Sequence, residues 1–371
     1  MTTTAPLPDW RDLKALMGGR GSDDDALAAP WRRGDEATLW FSRGAWALAA
    51  LVHWWQGTFA RRPRLWLPDY FCNQSTVPAR NVGADLVFYS VGRDLLPHWP
   101  ALRAMSQSAP PDLIVVVHYF GQAGEMGAAA AFCGETGAMM IEDAAHALGP
   151  ASGIGEHGDF VLYCPHKTLA VSDGALLLAR DRSAAADLFQ AAAGLGQMPP
   201  APWSWLARRL VQKSLPGALL GARIRRTGPA FAADPAFAAL PLTPALSPFG
   251  RRLLAGAGAK LVAAGQYRRH NEEILRRAYD VAGAGAQPFF AAPPDAPYRF
   301  VLDCGGGAHD AEDRFQALRL RGCPVETWPD LAPEVLAEPG RHADALALRR
   351  RLLFLPVHQS LAPARLGDWL T

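Results

Sequence analysis

The feature that most constrains the fold is a series of short apolar runs separated by helical stretches. Arg64-Leu65-Trp66-Leu67 is ended by Pro68, and Leu86-Val87-Phe88-Tyr89 follows. Leu113-Ile114-Val115-Val116-Val117-His118 is unbroken and β-branched, as a strand buried on both faces reads. Residues 138–141, 160–163 and 175–178 complete the set. Strands alternating with helices predict an α/β fold with a mostly parallel sheet flanked by helices. Ligands of such sheets sit beyond the carboxyl ends of the strands, and His118, Asp143 and Lys167 all fall there.

The 371 residues accommodate one large and one smaller domain. Residues 1–35 read as a polar leader with a short helix around Trp10–Met17. Residues 36–245 form the large domain, opening on a helix behind Ser42-Arg43-Gly44. Within it, 181–245 is rich in Ala, Pro, Trp and Arg and shows no strand. Trp203, Trp205, Leu206, Leu210 and Val211 are expected on one helix face there, with Arg208, Arg209 and Lys213 on the other. Residues 246–371 form a smaller C-terminal α/β domain. It has a long helix over 249–279, a strand over 298–302, a helix over 311–321 stopped by Gly322, and a strand at 353–355 before Pro356-Val357-His358.

Half the residues are hydrophobic and 19% are charged, which is ordinary for a globular chain. A net charge of +2 gives no reason to expect nucleic acid. The five cysteines, Cys72, Cys133, Cys164, Cys304 and Cys323, are scattered and form no C-x-x-C pair. Zinc spacing is absent, no metal site is expected, and the thiols read as reduced. The first residues lack a signal-peptide core, and no apolar run approaches the roughly 18–20 residues of a membrane span. The expected location is the cytoplasm.

The chemistry is carried by Glu142-Asp143-Ala144-Ala145-His146 and by Pro165-His166-Lys167. An acid at one strand end and a lysine at the next are what pyridoxal phosphate (PLP) chemistry requires. PLP is an electron sink whose ring nitrogen is kept protonated by a carboxylate and whose aldehyde is held by a lysine. Taken singly, Asp143 reads equally as a helix N-cap, and Lys167 as a surface lysine. The pair, in this order and 24 positions apart, shifts the reading. Gly153, Gly155 and Gly158 between them allow a tight return.

These phrases resemble the DegT/StrS-type nucleotide-sugar aminotransferases, a branch of the fold-type-I PLP enzymes. Glu142-Asp143-Ala144-Ala145-His146-Ala147 with Gly149, Val117-His118-Tyr119-Phe120-Gly121, Gly158-Asp159, Ser172-Asp173-Gly174-Ala175 and Leu355-Pro356-Val357-His358 carry the resemblance. It runs from about Ser42 to His358 and is weak over 181–245. It implies an aspartate-aminotransferase-like fold, PLP as cofactor, and Lys167 as the catalytic Schiff-base lysine. It implies Asp143 against the ring nitrogen, His146 beside the ring, and the backbone N–H groups of Gly44 and Ala45 on the phosphate. Tyr70 or Phe71 is the candidate stacking ring. His118 is a strand-end histidine whose simplest role is to satisfy its neighbours.

The sequence departs from that pattern at the phosphate. The family's serine five residues before the lysine is Leu162, and its Gly-Thr is Gly44-Ala45, so two hydroxyls are missing. His166 is a candidate replacement contact. The expected activity is transfer of an amino group from a glutamate-like amino acid to a keto-sugar or related carbonyl compound, in sugar or polysaccharide biosynthesis, by a homodimer. Two alternatives stand beside it. One is a non-catalytic or PLP-binding-only descendant that binds a partner, and the other is a PLP-dependent sugar dehydratase.

Overall fold

A computed structural model describes all residues except 1–2, 19–22, 197–202, 216, 227–229, 234–242, 283–284, 306, 308–309 and 371. The expected runs form strands, and the larger sheet contains β1 (Ala37–Phe41), β2 (Arg64–Pro68), β3 (Asp85–Tyr89), β4 (Leu113–Val117), β5 (Met139–Ala144), β6 (Phe160–Tyr163) and β7 (Ala175–Ala179). Their spatial order is β1-β7-β6-β5-β4-β2-β3. Strands β6, β5, β4, β2 and β3 are parallel, while β7 is antiparallel to both β6 and β1. The sheet is thus the mostly parallel one that the alternating pattern predicts. Strand β1 is an addition: its run directly precedes the helix over Gly44–Phe59, and only pairing with β7 makes it an edge strand.

Helices cover the sheet by burying apolar residues against it, most completely in the helix that follows β1. Helix Gly44–Phe59 buries Ala45, Ala47, Leu48, Ala49, Ala50, Leu51, Val52, Trp54 and Trp55. A helix so apolar is an interior one. It stops where Ala60 takes a left-handed conformation at φ 53° and returns its N–H to Gln56. The core beneath holds the fully buried Trp66 against Phe132, with ring centroids 5.8 Å apart. Each such aliphatic or aromatic side chain contributes about 1.5–3 kcal/mol by leaving water.

The C-terminal part forms a second, three-stranded antiparallel sheet, in the order β10-β9-β8, from β8 (Gln287–Pro288), β9 (Arg299–Asp303) and β10 (Leu352–Pro356). Phe300, Leu302, Leu353 and Leu355 from this sheet pack with Phe315 and Leu318 of helix Asp310–Leu320.

Two expectations are corrected. The helix expected over 249–279 is two helices, Pro248–Ala257 and Leu261–Ala282, joined by a 3₁₀ turn at Gly258–Lys260. Glycine favours the break because it costs about 1 kcal/mol in a helix interior. The faces expected on helix Trp203–Ser214 are mixed. Trp203 and Val211 are exposed, while Arg209 is part-buried over the Trp205 ring. At roughly 100° per residue, Trp203 and Trp205 point to nearly opposite sides. Among the described residues, no helix is long and apolar enough to cross a membrane.

Candidate active site

The site lies at the carboxyl ends of the parallel strands, as such sheets require. In-register pairing sets Asp143 on β5 between Val117 of β4 and Leu162 of β6. Lys167 follows one turn beyond β6, on the short helix Pro165–Thr168. These strands and their loops surround a cavity of about 630 Å³. Arg43, Gly44, Ala45, Phe71, Leu162, His166, Lys167, Asp143 and His146 line it, together with Tyr298, Arg299, Glu326 and Trp328. The structure thus brings together Lys167, Asp143, His146, Gly44, Ala45, Phe71 and His166. Tyr70 lies apart from the cavity lining, fully buried and stacked on Trp328 at 4.3 Å. Of the two rings considered for stacking, Phe71 is the one that reaches the cavity.

Asp143 is buried and accepts a 2.9 Å hydrogen bond from the Ala145 N–H on one carboxylate oxygen. Among the described residues, no protein group donates to its other oxygen. Burial pushes its pKa up, against the pull of Lys167, the Ala145 N–H and His118. Burial draws the Lys167 ammonium down, but Cys164, Tyr298, Asp143 and Cys72 around it more than reverse this, and its pKa sits above the ordinary value. Burial pushes the Cys72 thiol up to about 11 and the Cys164 thiol up to about 12, so both stay neutral.

His146 stacks on Tyr298 with centroids 4.5 Å apart and planes 10° from parallel. Its Nδ1 accepts from the Phe120 N–H at 3.3 Å. Burial, then Lys167 and Arg299, hold it well below the usual histidine range, so it is neutral. The Tyr298 N–H in turn donates to the Phe120 carbonyl at 3.0 Å, joining the loop after β4 to the start of β9. Arg299 is buried, paired with Glu326 at 2.8 Å, and lies over the Tyr298 ring at 4.3 Å.

His118 and Glu142 serve the scaffold. His118 Nε2 meets Glu142 at 3.0 Å, and Glu142 also accepts the N–H groups of Gly155 and His157 at 2.6 Å each. Glu142 thereby fixes the return between β5 and β6. Gly155 needs its glycine there: φ is 76°, and a Cβ would stand 2.5 Å from the Tyr163 hydroxyl.

The residues fit PLP. Asp143 offers an unpartnered carboxylate oxygen, and Lys167 an amine with no hydrogen bond to a described residue. Helix Gly44–Phe59 points an uncapped N-terminus at the cavity, where backbone N–H groups attract phosphate. Gly44 makes the close approach possible, since a Cβ there would stand 2.9 Å from Cys164 Sγ. The sequence reading missed Arg43, Tyr298, Arg299, Glu326 and Trp328. Tyr298 and Arg299 were visible only as strand residues, and Glu326 and Trp328 belong to a loop with no motif.

Sheet order and site together define the fold of the PLP-dependent fold-type-I transferases. Residues 75–198, about a third of the chain, match the model of the DegT/DnrJ/EryC1/StrS aminotransferase family. The motifs over that stretch are those of the resemblance read from the sequence, and the chain is similar there to these PLP-dependent aminotransferases. It is similar to Helicobacter pylori PseC, an aminotransferase involved in the biosynthesis of pseudoaminic acid, at 13% identity and TM-score 0.73, covering 100% of this chain and 98% of that one. It is similar to the PLP form of a putative sugar aminotransferase from Streptococcus pneumoniae at 13% identity and TM-score 0.70, covering 99% and 96%. It is also similar to DesI, solved in the presence of its TDP-sugar product, at 15% identity and TM-score 0.69, covering 100% and 92%. No curated protein sequence matches the chain.

Proposed function

We propose that this aminotransferase moves an amino group from a glutamate-like amino acid to the keto group of a sugar, free or nucleotide-linked, or of a related carbonyl compound. The observation that carries the reading is the convergence of Lys167 and Asp143 on one cavity. The aromatic walls Phe71, Phe120, Tyr298, Trp328 and Phe354 support a cyclic acceptor. So does the TDP-sugar product named for DesI.

When bound, PLP supplies the electron sink that makes the donor's α-carbon acidic. Lys167 would hold the cofactor and then carry the proton between donor carbon and cofactor as general base and acid. Asp143 would keep the ring nitrogen protonated, and Phe71 and His146 would pack against the ring. The apolar walls would exclude water, which strengthens the Asp143 interaction. We also propose a cytoplasmic homodimer, and a chain divided into 1–35, 36–245 and 246–371.

The test is the absorption spectrum of the protein with added PLP, before and after glutamate, for wild type and Lys167→Ala. A visible band that requires Lys167 and bleaches with glutamate supports the first half of the reaction. Its recovery on addition of a nucleotide-linked keto-sugar supports the acceptor. No Lys167-dependent band would sink the assignment and favour a partner-binding descendant. A band that ignores every amino donor would favour a dehydratase.

A further inference from the structure

Two cavity-lining positions beside the helix N-terminus, Leu162 and Ala45, offer a phosphate no side-chain hydroxyl. Leu162 is buried and aliphatic, and Ala45 offers only its backbone. His166 is a poor substitute. Its Nδ1 donates to the Gly174 carbonyl at 2.9 Å, and in the neutral ring Nε2 is then an acceptor with nothing to give a phosphate. Burial, Arg43 and Lys167 all favour that neutral form, with only the Gly174 contact opposing them.

Arg43 is the residue the site holds instead. It is the N-cap of helix Gly44–Phe59 and lines the cavity beside Gly44, Ala45, His166 and Lys167. Two of its guanidinium nitrogens donate to the carbonyls of Ser42 at 2.7 Å and Ser172 at 3.3 Å. Five donors in a planar fork leave N–H groups beyond those two bonds. Among the described residues, no carboxylate lies within ion-pair distance of it. Asp173 acts on it only at longer range, its oxygens being engaged by Ser172 and Ser247. Burial disfavours the Arg43 charge. A half-buried cation without a paired anion among the described residues, lining a cavity, is placed to receive one.

We propose that Arg43 is the side-chain anchor of the PLP phosphate in this chain. It would act with the backbone N–H groups of the helix N-terminus, in place of the absent hydroxyls. The guanidinium fork matches phosphate oxygens bidentately, and the helix dipole adds to its field. The proposal rests on the PLP reading above and assigns one contact within it.

The test is equilibrium binding followed by absorbance or fluorescence, with PLP and with pyridoxal, which lacks the phosphate. The variants are Arg43→Gln, which retains donors for Ser42 and Ser172 but removes the charge, and Arg43→Lys. Both are first checked for folding by thermal melting. The expected result is a loss of PLP affinity of about ten- to a hundred-fold in Arg43→Gln, the scale of a charge-assisted hydrogen bond. Pyridoxal affinity should stay within about two-fold, and Arg43→Lys should recover part of the loss, as a point charge without the fork does. If Arg43→Gln binds PLP as tightly as wild type, or loses PLP and pyridoxal alike, Arg43 is not the phosphate anchor although PLP is still bound. If wild-type protein binds neither compound, the cofactor reading itself falls, and this proposal with it.

Discussion

Arg268 donates a 2.7 Å hydrogen bond to the carbonyl of Thr168, the residue that follows Lys167. The same guanidinium reaches the carbonyls of Pro297 at 3.2 Å and Tyr298 at 3.4 Å. One fully buried cation from helix Leu261–Ala282 therefore ties the lysine turn to the segment that carries Tyr298. Gln359 adds a second donor to Thr168 at 3.2 Å. Arg268→Met takes a donor from three carbonyls, of which Thr168 keeps Gln359 and Tyr298 keeps Arg299. It should cost about 2–4 kcal/mol in denaturant unfolding and loosen the hold on Lys167. A variant with wild-type unfolding and an unchanged cofactor band would show that the tie does not matter.

Asp143 gives a prediction with two opposite readouts. Its folded pKa is raised, so the cofactor-free fold binds more protons than the unfolded chain just above the ordinary carboxylate pKa. Stability then falls as pH rises through that window, and at neutral pH the full cost of the buried charge is present. Asp143→Asn removes that charge and should raise the melting temperature of the cofactor-free protein at pH 7. The same change removes the partner of the ring nitrogen. Amino transfer should fall by at least about a hundred-fold, about 2.7 kcal/mol of transition-state stabilisation. A stabilised variant with normal turnover would separate Asp143 from the chemistry.

Glu142 behaves in the reverse sense. Burial works against its charge, but His118 and the Gly158 and His157 N–H groups overcome this and draw its pKa down from 4.5 to about 2. Its contribution is fully present above pH 4.5 and is lost as pH falls towards 2. The difference is worth on the order of 3 kcal/mol. Glu142→Gln should therefore be destabilised at pH 7 and show a flatter stability profile between those two pH values. Chemical denaturation across that range measures it. Parallel profiles for the two proteins would contradict the assignment.

His146 should not titrate near neutrality. Burial first, then Lys167 and Arg299, depress its pKa well below 6.5. Its ring proton resonances should hold still in an NMR titration from pH 8 to pH 5.5. His146→Phe should keep the stack on Tyr298 and the Lys167-dependent PLP band. An inflection near pH 6.5 assigned to His146 would show that solvent reaches it.

The large sheet was legible because burial on both faces leaves unbroken apolar runs, of which Leu113–Val117 is the clearest. Lys167 and Asp143 were legible because their chemistry fixes both residue type and position at neighbouring strand ends. Strand β1 was not, since Thr38 interrupts its short apolar run and the antiparallel partner that makes it a strand, β7, lies far along the chain. The far wall was not legible either. Tyr298, Arg299, Glu326 and Trp328 reach the cavity only through the packing of the second sheet, and no local spacing records that. Arg43 reads from sequence as one more arginine before a helix. It stands out only once Leu162 and Ala45 are seen beside it.

The backbone bond from Tyr298 to the Phe120 carbonyl has a consequence for selectivity. It joins the loop after β4 to the start of β9 in the cavity wall by main chain, at a separation side-chain rotamers cannot change. The entropy of assembling the far wall is therefore met when the chain folds, and a ligand enters a socket already shaped for it. Such a socket discriminates chiefly by outline. A substituent that presses on the wall formed by Phe120 and Tyr298 meets resistance from the backbone itself, whereas one against a side-chain wall meets only rotamers.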